Sequence, residues 1–327
     1  LELQTYTAVR AELISIIQNF IPYLLAVGDF RAVAYTCREL RVVMQRAREL
    51  LPEHRAELEG LPAKLSEPEA LSQLLQSLDE ASVHPTEEEL GELFRELRPA
   101  ALGTVLNWLP RLANQRVREL LYGAAQRLAQ AYPAEVTKAL ETEDEAVLLE
   151  TVRLVTRLKL PPAAQALGAL FARAGTVVKV AAVEALAAIG SSGAMQQLEH
   201  AIDDPDRDVR IGAVRVLGAR NHRGAFPKIS GAVEGKALRS ADLTEKTAFF
   251  EAFGAMAGPG GVARLAPMME VGGFLKRKED PETRACAAMA LGKIKTPEAR
   301  ALLEQAAAKD KDPLVRNAIN KALREIG

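Results

Sequence analysis

A ten-residue pattern recurs through much of this 327-residue chain, and it restricts the folds that the chain can adopt. The segment VRIGAVRVLG (209–218) aligns without gaps with VKVAAVEALA, EKTAFFEAFG, TRACAAMALG and VRNAINKALR, which begin at residues 178, 245, 283 and 315. Weaker copies begin at residues 117 and 147, so that successive starts lie 30 to 38 residues apart. This spacing is typical of stacked helix–turn–helix units, each of which buries its apolar face against its neighbours.

The aligned copies share apolar positions on one face of a helix. A column of small residues holds Ala181, Gly212, Ala248, Cys286 and Ala318. Five positions on, a column of large residues holds Leu186, Leu217, Phe253, Leu291 and Leu323. Because small side chains let helix backbones approach and large ones fill the core, the sequence predicts an all-α solenoid, in which a second amphipathic helix follows each copy.

Charged residues cluster where each repeat begins. Asp280 and Asp312 precede prolines and are predicted N-caps, and Asp204 or Asp206 is predicted to cap the equivalent helix. One basic residue per repeat follows, close to the aspartates of the next repeat. We therefore predict a structural ladder of ion pairs formed by Lys179, Asp204, Asp206, Arg210, Lys246, Asp280, Arg284, Asp312 and Arg316. The alternative is that DPDRDVR (204–210) is a binding site for a cation, a phosphate or a partner.

The order D-P-x-x-R, an alanine-rich helix with LG near its end and a second short helix resembles the HEAT-like repeats of bacteria. The most similar class is the short one also found in phycobilin lyases. The resemblance covers residues 115–327 and is clearest over 175–327. It implies an α-solenoid of HEAT-like helix–turn–helix repeats with a curved surface. Because the family includes scaffolds, lyases, a hydroxylase and DNA glycosylases, it does not fix a function.

The pattern divides the chain into three predicted parts. Residues 1–63 are predicted to be an amino-terminal helical cap or a small helical domain, made of two long helices and a short third one. Residues 64–114 are predicted to form divergent helical pairs, with capping boxes at Ser66/Glu69 and Thr86/Glu89. Residues 115–327 hold the HEAT-like repeats. Because the chain begins without Met and inside a predicted helix, we expect it to be part of a longer protein.

Residue patterns that carry catalysis are not apparent. None of His54, His84, His200 and His222 is followed by Glu, the pair that the resemblance would require for a di-iron site. Cys37 and Cys286 are far apart and predict no disulfide or metal pairing, which suits a reducing cytoplasm. We therefore predict a cytoplasmic protein without enzymatic activity, metal or cofactor, and without insertion into a membrane.

A basic segment stands out within residues 207–278. The chain carries a net charge of −1, but residues 1–100 carry 17 acidic and 10 basic side chains, so the remainder is basic. The candidate partner-binding residues are Arg223, Lys228, Lys236, Arg239, Arg264, Lys276, Arg277 and Lys278. They indicate either an anionic partner or an ordinary solvated face. Few aromatic residues lie nearby, which disfavours single-stranded nucleic acid.

One repeat departs from the alanine-rich habit of the others. It carries Phe249, Phe250 and Phe253, and it follows a lengthened loop, EGKALRSADL (234–243). The rings either fill space opened by the loop or line a pocket for a partner.

The sequence thus predicts a non-catalytic scaffold that binds another protein through the curved surface of the solenoid. Two alternatives remain. One is a phycobilin-lyase-like protein that handles tetrapyrroles. The other is binding of an anionic partner, including nucleic acid, by the basic segment.

Overall fold

The computed structural model describes residues 6–47, 50–81, 85–270 and 279–326, and the regular elements in these ranges are helices. The chain divides into two compact units, Leu1–Ala163 and Ala164–Gly327. The boundary lies inside the range predicted to hold HEAT-like repeats, and the three-part division drawn from the sequence stays a prediction. None of the described helices combines the length and the apolar character needed to cross a membrane.

The first unit builds two rows of helices. Its α-helices are α1 (Thr7–Ala26), α2 (Phe30–Arg46), α3 (Pro52–Lys64), α4 (Pro68–Glu80), α5 (Glu87–Arg95), α6 (Ala101–Trp108), α7 (Gln115–Ala131), α8 (Pro133–Ala139) and α9 (Glu145–Leu158). Helix α5 packs between α2 and α7, and α7 packs on α9. Helix α6 packs between α4 and α8. The stacking of helical pairs therefore begins upstream of the repeats that are clear in the sequence.

The second unit repeats the same arrangement more regularly. Its α-helices are α10 (Ala164–Ala169), α11 (Thr176–Ile189), α12 (Ser192–Ala201), α13 (Arg207–Ala219), α14 (Phe226–Glu234), α15 (Leu243–Ala257), α16 (Gly261–Met269), α17 (Pro281–Ile294), α18 (Pro297–Lys309) and α19 (Pro313–Ile326). The first helices of the repeats, α11, α13, α15, α17 and α19, pack in chain order. Among the second helices, α10 packs on α12 and α16 on α18. The predicted all-α solenoid of helix–turn–helix repeats is confirmed.

Successive first helices make backbone contact at a glycine near their ends. A Cβ atom added at Gly254 would lie 2.5 Å from the carbonyl oxygen of Ala290 and 2.9 Å from its Cα. At Gly292 it would lie 2.9 Å from the Cα of Ala322. From the alignment of the repeat copies, we expected the close approach at the column of small residues, which lies six positions earlier in each repeat. At that column the approach is looser, because a Cβ atom at Gly212 would meet only a side-chain methyl of Val183, at 3.2 Å.

The helix starts follow the predicted capping chemistry with one exception. Thr86 and Glu89 form a reciprocal capping box at α5. Asp280 accepts a hydrogen bond from the backbone N–H of Thr283 at α17. The prediction for Ser66 is wrong, because α4 begins at Pro68 without a side-chain cap. Ser66 is buried, and its hydroxyl instead accepts a hydrogen bond of 2.8 Å from the backbone N–H of Arg98.

We predict that Gly254→Ala destabilises the chain by about 1–3 kcal/mol, because the added methyl group must displace the backbone of α17. The control is Gly231→Ala in α14, where an added Cβ atom meets nothing within 4 Å. That change removes a glycine from a helix and should raise stability by up to about 1 kcal/mol. Urea unfolding of the two variants checks both signs, and equal midpoints for Gly254→Ala and the unaltered chain would contradict the packing account.

Candidate functional site

The charged residues at the repeat starts meet across neighbouring repeats. The Lys179 ammonium on α11 lies 3.2 Å from both carboxylate oxygens of Asp204, and both side chains are buried. Asp204 also accepts a hydrogen bond of 2.8 Å from the backbone N–H of Asp206. Asp206 in turn caps α13. In this Asp-Pro-Asp segment the first aspartate therefore holds the cation of the preceding repeat, and the second begins the next helix.

Arg210 connects α13 to the next first helix. Its Nε donates a hydrogen bond to Glu245 on α15 at 2.5 Å, and one of its terminal nitrogens donates to the carbonyl oxygens of Asp204 and Pro205. Nearby, a hydrogen bond from the Thr176 hydroxyl is the main reason why the pKa of Asp206 is lower than usual. DPDRDVR is thus in contact with the repeats on both sides of it.

Lys246 and Arg284 continue the pattern. Lys246 is buried, and its ammonium lies 2.9 Å from Glu282 and 3.4 Å from Asp280. Burial alone would lower the pKa of Lys246, but these two carboxylates hold it above the ordinary lysine value. Arg284 reaches Asp310 at 2.7 Å, and the two side chains are 2 % and 1 % exposed. Buried charges of this kind are retained only when they are paired.

Sequence reasoning missed three of the acids in this ladder. Asp310, Glu245 and Glu282 accept the bonds from Arg284, Arg210 and Lys246. A signal for Asp310 was present, because Asp310 and Asp312 repeat the spacing of Asp204 and Asp206. Asp310 accepts from the backbone N–H of Asp312 at 3.0 Å, and Asp312 accepts from the first-turn N–H groups of α19.

Arg316 stands apart from the rest of the ladder. Its side chain is exposed, and no described carboxylate lies within ion-pair distance of it.

Four of the candidate partner-binding cations are engaged inside the chain. Arg223 donates to the carbonyl oxygen of Met256 at 2.5 Å, and Lys228 lies 2.5 Å from Asp203. Arg239 lies 2.8 Å from Glu279, and Arg264 donates to Ser230 and Glu234 at 2.6 and 2.9 Å. Lys236 is exposed, and Lys276, Arg277 and Lys278 lie outside the described residues. Carboxylates therefore neutralise Lys228, Arg239 and Arg264, whereas Arg223 is held by a neutral carbonyl oxygen and keeps its charge.

The cysteines lie in surroundings that suppress thiol chemistry. Burial raises the pKa of Cys37 to about 12, and the neighbouring Glu96 adds to the effect. Burial likewise raises the pKa of Cys286 to about 11. Because the thiolate is the nucleophile and the metal ligand, both residues are protonated and unreactive at neutral pH.

The described histidines lie in different surroundings. His54 is buried on α3, His200 is exposed, and the ring of His222 lies 2.5 Å from the carboxylate of Glu199. His84 lies outside the described residues. Within the described ranges, no three His, Cys, Asp or Glu side chains are grouped so that they would hold a metal ion.

A groove of about 730 Å³ lies between α7 and α9 in the first unit. Its walls are formed by Leu109, Pro110, Arg118, Glu119, Tyr122, Gly123, Gln126, Glu150, Arg153 and Arg157. Arg153 pairs with Glu150 at 2.5 Å, and the Arg157 guanidinium lies 5.6 Å from the centre of the Tyr122 ring. No described carboxylate neutralises Arg118 or Arg157. We call this feature the α7–α9 groove.

A second groove, of about 580 Å³, lies beside the lengthened loop of the irregular repeat. Ile202, Leu238 and Phe249 supply its apolar lining, and Lys236 and the Arg210–Glu245 pair also line it. Phe253 instead packs in the core against Phe226, with ring centres 5.6 Å apart. Phe253 therefore fills the core, whereas Phe249 lines the groove.

We predict that Arg284→Met destabilises the chain by about 3–5 kcal/mol, because it leaves the buried Asp310 carboxylate without its cation. Adding Asp310→Asn should restore part of the loss, since the amide oxygen still accepts the bond from Asp312 and no buried charge remains. Arg300→Met removes an exposed pair with Glu304 and should cost less than about 0.5 kcal/mol. Thermal unfolding of the variants checks the order, and an unaffected Arg284→Met would contradict it.

Comparison with known proteins identifies the repeats. A family model described as HEAT repeats matches residues 173–241 and 263–327. No curated protein matches the chain in sequence.

Several solved structures resemble the chain at low identity. Human deoxyhypusine hydroxylase in complex with glycerol is 19 % identical over 70 % of this chain and 96 % of its own, with a TM-score of 0.31. A homology model of the full-length AP-3 complex in an intermediate open conformation is 15 % identical over 83 % and 51 %, with a TM-score of 0.46. The crystal structure of Kap121p is 11 % identical over 99 % and 42 %, with a TM-score of 0.45.

The chain thus spans about half or less of the AP-3 and Kap121p chains. Identities and TM-scores this low support no statement about function. The comparisons also do not support the narrower resemblance to the phycobilin-lyase-type class. Helices α11 to α14 lie within residues 173–241 and helices α17 to α19 lie within residues 263–327, whereas α10 and α15 lie outside the matched segments. Residues 173–241 and 263–327 are HEAT repeats.

Proposed function

We propose that the chain is a non-catalytic scaffold that binds an acidic segment of another protein in the α7–α9 groove. The observation that carries the proposal is that the ladder cations are paired with carboxylates, whereas two arginines of this groove are not. The ladder cations Lys179, Arg210, Lys246 and Arg284 are neutralised by acids of neighbouring repeats. In the groove, Arg118 and Arg157 face solvent without such partners, although the acids Glu119 and Glu150 are close by.

The charges of the groove favour an anionic occupant. Glu150 is paired with Arg153, and Glu119 accepts a hydrogen bond of 2.9 Å from the neutral amide of Gln115. The lining thus holds three arginines against two glutamates, which leaves one positive charge in excess. The remaining guanidiniums supply planar donors that suit carboxylates. Tyr122 and the neighbouring apolar residues add a surface on which an apolar side chain can pack. An extended segment with carboxylates beside one apolar anchor matches this combination.

The type of repeat and the engagement of the described ladder groups support a binding role. In the described part of the chain, burial raises the pKa of the two thiols, and the ladder cations Lys179, Arg210, Lys246 and Arg284 are committed to ion pairs. Stacked helical repeats offer extended surfaces that are well suited to binding other proteins. The tetrapyrrole-handling alternative rests on the type of repeat alone and stays a prediction.

A labelled peptide rich in Glu, with one Leu, tests the proposal by fluorescence anisotropy. We expect it to bind, to weaken as salt is added, and to bind better than the same peptide with Gln in place of Glu. Arg118→Glu with Arg157→Glu should weaken binding at least about tenfold. The control is Arg95→Glu, an exposed arginine of α5 outside the groove, which should leave binding unchanged. Equal binding of the Glu and Gln peptides, or no loss in the double variant, would contradict the proposal.

The same assay with labelled duplex DNA tests whether the basic segment binds nucleic acid. Among the described candidate residues, Lys236 is the exposed one without such a contact, because Arg223, Lys228, Arg239 and Arg264 hold contacts within the chain. DNA binding that is lost in Lys236→Glu and retained in the groove variant would favour the anionic-partner alternative over the proposed function.

A further inference from the structure

Helix α1 exposes an apolar face that the described residues of its own unit do not cover. Tyr6, Val9, Ile16, Phe20, Tyr23 and Val27 are between 42 % and 73 % exposed. The adjacent side of the helix is buried and holds Ile14, Ile21 and Leu24. A helix that is apolar on both sides is normally buried on both sides. We therefore expect another surface to cover the exposed face.

The exposed face has the spacing of a coiled-coil seam. With the half-buried Leu13 included, its residues are Tyr6, Val9, Leu13, Ile16, Phe20, Tyr23 and Val27. The intervals are three and four in strict alternation, which is the a and d pattern of the heptad repeat. The helical part of the set, from Val9 to Tyr23, covers two heptads, and Tyr6 and Val27 flank the helix at its two ends. We call this set the α1 seam. A narrow seam of this kind is typical of a helix that pairs with one other helix.

The size of the seam is sufficient for a specific interface. Three exposed aromatic residues, at about 150–250 Å² each when whole, and three aliphatic ones give about 600–700 Å² of exposed surface per copy. Two copies would bury about 1,200–1,400 Å², which lies in the range of specific protein interfaces and above most crystal contacts. A patch of this size is larger than most on monomeric proteins.

The lack of charge on the seam favours an uncharged partner. Among the described exposed residues of α1, Glu12 is the charged one, and it lies beside the seam. An acidic or basic partner would therefore find little to pair with. A second copy presents an uncharged face with the same length and the same heptad spacing, so the two faces match without burying a charge.

We propose that two copies of this chain associate through their α1 seams to form a dimer. This proposal rests on α1 and is independent of the α7–α9 groove, which uses other helices. The dimer would present two copies of that groove to a partner, which raises the apparent affinity for any ligand that carries two acidic segments.

Sedimentation velocity of the full chain over a concentration series tests the proposal. We expect a dimer that dissociates on dilution in the micromolar range, as an interface near the lower size limit implies. Ile16→Glu places a charge in the middle of the seam and should raise the dissociation constant at least about tenfold. The matched control is Ser15→Glu on the same helix, which is exposed and lies off the seam, and it should leave the dimer intact.

The outcome is decisive in either direction. Circular dichroism of each variant verifies that the helices are retained, and Phe20→Ser offers a milder disruption if Ile16→Glu fails to fold. A chain that stays monomeric up to about 100 µM, above the range typical of such interfaces, would overturn the proposal. So would a dimer that persists in Ile16→Glu and Phe20→Ser, or a different protein bound to the seam in place of the second copy.

Discussion

The second unit depends on the close approach of successive first helices. At Gly254 and Gly292 the backbone of one helix lies against the backbone of the next, at distances that leave no room for a side chain. This contact fixes how far each repeat is displaced from its neighbour. It also fixes the separation of the helix starts, and with it the distance over which the cation of one repeat must reach the acids of the next.

The ion pairs follow from that spacing. Lys179, Arg210, Lys246 and Arg284 each reach across one repeat boundary, and the acids that receive them cap a helix or lie in its first turn or in the turn before it. The charged side chains of DPDRDVR are therefore engaged in contacts within the chain. In the proposals above, recognition of other molecules therefore falls to surfaces whose charges or apolar side chains remain uncovered, namely the α7–α9 groove and the α1 seam.

Local signals in the sequence predicted much of this fold, and non-local pairing set the limit. Asp280 could be assigned as a cap because an N-cap acts on the residues that follow it directly. The match of Arg284 to Asp310 could not be assigned as readily, because 26 residues separate the partners. Arg223 and Lys228 resembled free surface cations, since no local pattern revealed Met256 or Asp203 as their partners. The exposure of the α1 seam could not be predicted for the same reason, because periodicity shows that a face is apolar and not whether another helix covers it.

The most direct test of this account is native-state hydrogen exchange on Arg210→Ala. The variant loses the bonds to Glu245 and to the carbonyl oxygens of Asp204 and Pro205. If DPDRDVR joins two repeats, exchange should accelerate at the starts of α13 and α15, on both sides of that boundary, and stay unchanged in α17 and α19. Unchanged protection in α13 and α15 would show that the charged segment does not hold the repeats together.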